Sequence, residues 1–435
     1  MIPIDTRTLL ALALPAAASV FLNNAFRIID QFAVQWLGAD AQAALAASTF
    51  ALIGLYAVFS LFAAGTVPCV ARATGAGDDE LRRLSMGRAL TGVAGAGGLA
   101  LLGVGLFSED VAALLGLSGG PARDMAAFLG TLGLFGLPLA LSPVVDAILI
   151  ATGRTRAMMS LHLLACVLLL ILNPLLIYGA GLGIRGAALA TCLARGVAVT
   201  MGLVLLRQEF GLRRRHLGAG RLLLTIARLG LPIALNDLCF AGIYGILIRF
   251  ALAPLGPAVV AGLGIGFSAI EGLAWPIFSG FAAAVASCVG RALGAGRPDE
   301  AARTLRVAAP LLLGIGVGMA ALFLLGGEGI GRLFTEDPAV LREAVRYAEV
   351  LAWSQPLCAF EALAEGVLIG AGATRAVLLW SGPLNLLRVP MGYLAAVGLG
   401  WGAAGVWWAI NLSTALKTAG KWSTVASGRW RQQRF

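Results

Sequence analysis

The sequence predicts an all-α membrane protein of twelve transmembrane helices, in two six-helix lobes related by a pseudo-two-fold axis along the membrane normal. Three observations predict it: a composition too apolar for water, a series of long apolar runs, and an internal repeat at constant offset. Of 435 residues, 59% are hydrophobic and only 12% are charged. Soluble domains carry roughly a quarter charged residues. So few charges cannot cover a water-exposed surface, so most of the exterior must face lipid.

A helix needs about 20 mostly apolar residues to cross the hydrocarbon core. Runs of adequate length occupy 8–36, 43–70, 90–107, 126–150, 157–178 and 184–206. A basic stretch at 207–228 follows, and then six more runs at 226–251, 258–289, 307–325, 344–369, 376–397 and 402–419. The expected domains are an N-terminal lobe (1–206), a basic cytoplasmic linker (207–228) and a C-terminal lobe with a basic tail (229–435). The first run is too long for a signal peptide and has a counterpart later in the chain, so it is expected to remain in the mature protein.

Orientation follows from Lys and Arg. With the N-terminus inside, the inside segments hold 23 of these residues, Lys417 and Lys421 in the tail among them. The outside segments hold five: Arg123, Arg185, Arg332, Arg342 and Arg346. This bias predicts a multi-pass protein of the cell (inner) membrane with both termini cytoplasmic. It also absorbs the net charge of +10, which in a soluble chain would suggest a nucleic-acid partner. The six cysteines show no CxxC spacing and there are only two histidines, so no disulfide framework or metal site is expected.

The repeat is the strongest signal. CVARATGAG at 69–77 returns as CVGRALGAG at 288–296, with seven of nine residues identical at an offset of 219. LIATGRTRA at 149–157 returns as LIGAGATRA at 368–376, six of nine, at the same offset. Gly183 and Gly186 reappear as Gly402 and Gly405, and Pro15 as Pro232. Two halves of six helices enter the membrane from the same side, so these are parallel repeats. Lobes enclosing a central cleft suit alternating access.

Ten charged residues fall inside the runs: Arg27, Asp30, Asp146, Arg195, Asp237, Arg249, Glu271, Glu361, Glu365 and Arg388. A charge at bilayer depth costs at least ~2.5–3.5 kcal/mol, so each must face protein or water. Asp30 is the leading candidate, midway along the first run, with Asn23, Asn24 and Arg27 on roughly the same helical face. The bland alternative is an Arg27–Asp30 pair that neutralises itself. Asp146 and Glu365 are repeat equivalents, and Glu361 lies one turn before Glu365. Two neighbouring carboxylates suit a proton carrier, and a hydrogen-bond tie to another helix is the alternative. Asp237, Arg249 and Glu271 complete the cleft candidates. Six acids against four Arg mildly favour a cationic substrate, while the four Arg keep an anionic or zwitterionic one open.

Proline interrupts several runs, and Asn173-Pro174 places an amide beside a freed carbonyl. The loops GAGDDE (75–80) and GAGRPDE (294–300) are read as helix-capping glycines followed by acidic first turns. No nucleotide-binding or catalytic motif appears, so an enzyme is not expected. The energy source is expected to be an ion gradient.

These residues together resemble the multidrug and toxic compound extrusion (MATE) transporters of the bacterial type, DinF-like or NorM-like. The opening helix with Pro15, Asp30 and Leu37-Gly38, the duplicated VARATGAG loop (70–77), the segment 151–157 and GLGIRGAALAT (181–191) carry the resemblance. It implies a V-shaped pair of lobes that exports amphipathic, often cationic small molecules in exchange for H⁺ or Na⁺, with no other cofactor. It also implies that Asp30 carries the coupling ion and that Asn173 belongs to its hydrogen-bond network. Where some members carry an Asp four residues after that Asn, this chain has Ile177. Where some carry an acid in the seventh helix, it has Phe240. The expected partners are a small-molecule substrate and membrane lipid, with no nucleic acid, and the protein is expected to be a monomer. A lipid-linked precursor flippase and a polyprenyl transferase are the competing readings.

Overall fold

The computed structural model describes residues 5–115 and 117–432. Among them the regular structure is helical throughout. The first half comprises α1 (Thr6–Val34), α2 (Ala39–Ala76), α3 (Asp79–Leu106), the short α4 (Ser108–Leu114), α5 (Gly119–Phe135), α6 (Leu137–Ala151), α7 (Thr155–Pro174) and α8 (Ile184–Phe210). The second half comprises α9 (Arg221–Leu247), α10 (Pro257–Ile265), α11 (Glu271–Gly294), α12 (Pro298–Arg332), α13 (Pro338–Ala352), α14 (Gln355–Gly370), α15 (Thr374–Leu386), α16 (Arg388–Tyr393) and α17 (Ala403–Ala426).

These elements make twelve transmembrane segments, six in each half. Eight continuous helical stretches are long and apolar enough to cross a bilayer unaided. A ninth segment joins α5 and α6 through a 61° bend, where Gly136 offers no side chain and Pro138 follows at the start of α6. The other three are α13 with α14, α15 with α16, and α17. They are broken or carry charge, and they take the repeat positions of segments that qualify in the first half. Wide π-turns at Leu175–Gly179 and Leu394–Gly398 sit at the 219-residue offset, each just beyond a helix containing proline.

By internal contacts the chain falls into two compact units, one of Ala18–Ala234 and one of Met1–Ala17 with Leu235–Phe435. The boundaries lie two residues after Pro15 and two after Pro232. The first part of α9 therefore packs within the first of these units, and the first part of α1 within the second. Glycine makes the former possible. A Cβ on Gly65 of α2 would strike the Ile226 carbonyl of α9, and one on Gly230 would strike the Leu61 carbonyl. Such close backbone approach is how helices associate in lipid, where burial alone supplies no drive. Gly65→Val is therefore expected to cost about 3 kcal/mol through overpacking, read as a lowered Tm of purified protein in detergent.

The glycine-rich loops are caps. Gly77 adopts φ 71° and Gly296 φ 70°, the left-handed geometry that favours glycine. The Asp78 side chain accepts from the Leu81 amide at 2.9 Å and caps α3, and Asp79 pairs with Arg82 at 2.8 Å. The acidic cluster is thus spent on a helix end, which removes the feature that suggested a prenyl transferase.

The basic stretch after α8 is ordered against α3. Arg83 donates to the Phe210 carbonyl at 2.7 Å and Arg88 to the Leu217 carbonyl at 2.8 Å. His216 is buried there, accepting from the Arg213 amide at 3.0 Å.

Candidate functional site

The polar centre of the Ala18–Ala234 unit lies where α1, α7 and α8 meet. Small and apolar residues bring the three helices together: Phe26 from α1, Ala165, Cys166 and Leu169 from α7, and Ala190, Ala194 and Ala198 from α8. Within that packing Asp30 is buried, only 8% exposed. Asn173 Nδ2 donates to its Oδ1 at 2.9 Å, and the Thr191 hydroxyl donates to its Oδ2 at 3.0 Å. Both donors are neutral. Among the described residues no Lys or Arg forms an ion pair with Asp30. Asn173 itself is buried, and its Oδ1 has no hydrogen-bond partner. One turn past Asp30, the Tyr178 hydroxyl of the π-turn donates to the Ala33 carbonyl at 2.5 Å.

Arg195, one turn after Thr191, is also buried. It donates to Asn23 Oδ1 at 2.7 Å and to Ser142 Oγ at 3.4 Å, and its guanidinium carbon lies 4.2 Å from the Phe26 ring centre. The expected partners of Asp30 thus divide. Asn23 joins the network through Arg195. Asn24 is half-buried and Arg27 is exposed, and neither reaches Asp30. The self-neutralising Arg27–Asp30 pair is therefore replaced by an Asp30 held by Asn173 and Thr191. Ile177, buried, stands where a second carboxylate would be. On this geometry Thr191→Val keeps the shape and removes one of the two donors to Asp30, and is expected to slow transport about tenfold in vesicles while substrate affinity changes less than twofold.

Asp146 is not on its own either. His162 Nε2 of α7 lies 3.3 Å from its Oδ2, an ion pair when the histidine is protonated.

The second unit, Met1–Ala17 with Leu235–Phe435, corrects the sequence reading. Glu361 and Glu365 do share a face of α14, but they are not a bare like-charge pair. Lys421 of α17 reaches Glu361 at 2.8 Å and Glu365 at 2.6 Å, and Lys417 reaches Glu361 at 3.1 Å. Both lysines are buried inside α17. From sequence they read as cytoplasmic, because they close the chain's last apolar run. With them counted, the spans hold six acidic and six basic residues, and the excess of two negative charges disappears. Arg388 is buried, donating to Ser413 Oγ at 2.6 Å and Thr414 Oγ1 at 3.1 Å. Glu271 opens α11 and lies within electrostatic reach of Arg388 and Lys417. Asp237 is exposed, as is Arg249, whose guanidinium lies 5.8 Å from the Phe250 ring centre.

Thr191, Ser142 and His162 were not singled out from sequence, and Arg195 was counted only as a buried charge. A pattern was available for the lysines. Lys417 and Lys421 repeat the four-residue spacing of Glu361 and Glu365.

Known proteins agree with this architecture. The MatE family profile matches residues 15–175 and 232–394, one block in each half. A protein of Deinococcus radiodurans described as "Probable multidrug resistance protein NorM" is 28% identical over 428 residues, covering 95% of this chain and 93% of its own. An "FAD transporter" of Shewanella oneidensis is 27% identical over 356 residues, covering 79% and 78%. A crystal structure of a MATE protein in complex with MaL6 superposes with a TM-score of 0.91 at 21% identity, over 99% of this chain and 98% of that one. The chain belongs to the MatE family. It is a multi-pass membrane transporter of the bacterial, NorM-like type, and not an enzyme.

Proposed function

We propose that this protein is a secondary antiporter that exports amphipathic, cationic small molecules in exchange for H⁺, with Na⁺ as the alternative coupling ion. The observation that carries the reading is Asp30, a buried carboxylate whose two partners are both neutral donors. An ionised group at this depth is costly; Arg195 acts on it only from beyond the two direct partners, and a bound cation removes the rest of the cost. A proton is favoured because one carboxylate, one amide and one hydroxyl make a sparse oxygen set for Na⁺, and Ile177 contributes no ligand.

The same geometry supplies the coupling step. Protonation turns one oxygen of Asp30 from acceptor into donor. It then opposes a donor, so the hydrogen bonds must rearrange. The Thr191 hydroxyl can rotate, and the Asn173 amide can turn to offer its unpartnered Oδ1. The tie of α1 to α7 and α8 is therefore different in the two protonation states, which is what a two-state element requires. We place the protein in the cell (inner) membrane as a monomer, with both termini cytoplasmic.

A second reading, export of an anionic or zwitterionic metabolite, is favoured by the balanced charge of the spans and by the buried Arg388 and Lys417. The FAD transporter among the relatives supports it. One experiment separates them. Proteoliposomes are loaded with either ethidium or FAD, and a proton or a sodium gradient is imposed. Proton-driven loss of ethidium supports the first reading, loss of FAD alone supports the second, and a response only to sodium reassigns the ion.

A further inference from the structure

Beside the Asp30 network lies a small cleft bounded by Ser142, Val145 and Asp146 of α6, His162 of α7, and Arg195 and Val199 of α8. The space for water centres within it is about 10 Å³, room for one water at most. The coupling step leaves two of its features unused. His162 is buried, with Nε2 toward Asp146 and Nδ1 without a partner. Arg195 retains a buried Nε without a partner.

We propose that Asp146 and His162 form a second proton-exchanging station, which passes the proton between Asp30 and the end of the helices that carries Arg154 and Arg156. This rests on the proton-antiport reading. The polar groups are spaced to connect the two. Thr191, on Asp30, and Arg195 are one turn apart on α8. Arg195 reaches Ser142, and Ser142 and Asp146 are one turn apart on α6. Asp146 lies five residues before the end of α6 and His162 seven after the start of α7. That is about 7–11 Å from the helix ends at 1.5 Å per residue, while Asn173 lies about 16 Å deeper. The charged groups facing His162 are Asp146 from α6 and Arg195 from α8, with Asp30 of α1 beyond Arg195.

The roles follow from the chemistry. With Nε2 protonated and donating to Asp146, Nδ1 is the basic nitrogen and accepts the proton. A guanidinium does not release a proton, so Arg195 is a positioning residue that holds Asn23 and Ser142 in line. The proton released from the Asp30 carboxyl moves through the Ser142 hydroxyl or water in the cleft, and leaves His162 toward the Arg154 end.

The test is His162→Gln in proteoliposomes. Glutamine keeps a donor toward Asp146 and cannot titrate, so a merely structural role survives it. Proton-driven ethidium transport is expected to fall at least tenfold and to lose its dependence on the pH of the Arg154 side, with ethidium affinity within twofold of wild type. Asp146→Asn is expected to give the same flattening. If wild type is proton-driven and Asp30→Asn is inactive, but His162→Gln keeps the wild-type rate and pH profile, the station is refuted and the Asp30 reading stands. If wild-type export ignores the proton gradient, both fall.

Discussion

Asp30→Asn is expected to abolish gradient-driven export, by at least a hundredfold, while the protein inserts and binds ethidium within a few fold of wild type. The substitution keeps size and polarity at a buried position and removes only the ability to take and release a cation. The introduced amide can still pair with Thr191 and Asn173, so a folding defect is not expected. Downhill dye flux is the informative control. It is expected to persist in the variant and to be indifferent to pH, because exchange between states no longer waits on protonation. Asp30→Glu is expected to retain partial coupling, since the longer chain displaces the carboxylate from its two donors.

The other large effect is expected in the second unit. Lys421 is almost fully buried and bridges two glutamates. Removing one member of a buried ion network leaves uncompensated charge, at a cost of about 3–5 kcal/mol. The lower end applies here, because Lys417 still reaches Glu361 and the Glu365 side chain is 30% exposed. Lys421→Met is expected to lower Tm by roughly 6–12 °C, measured on purified protein in detergent. Adding Glu365→Gln to it is expected to recover most of the loss, because the orphaned charge goes with it. Failure of that rescue would mean that α17 needs the ammonium for something other than compensating charge.

Most of the fold was legible, because in lipid the chain must bury its backbone polar groups in helices long enough to cross. Apolar run length and a constant repeat offset report that directly. The pairing of charges was not legible. Depth alone picks Asp30, and the family resemblance points to Asn173, but helical spacing offers only neighbours on α1 as partners and nothing in the sequence points to Thr191. The structure instead supplies Asn173 and Thr191, from 143 and 161 residues away. Helical spacing says which residues share a face and nothing about what faces them. The lysines of α17 were missed for a related reason. Charge near the end of a last apolar run looks like a solvated tail, and only the acids that meet them from α14 show otherwise. The boundaries of the compact units were also hidden. They fall within helices, at the prolines of α1 and α9, where composition does not change.

The most direct measurement is of both fluxes in one vesicle. Proteoliposomes enclosing a pH-sensitive dye, with no imposed gradient, are given an outward ethidium gradient, and proton movement is recorded alongside ethidium release for wild type and Asp30→Asn. Antiport through Asp30 predicts proton entry that tracks ethidium release in wild type in a fixed ratio, and no proton movement in the variant. Ethidium release from wild type with no proton movement, or equal proton movement in the variant, would contradict it.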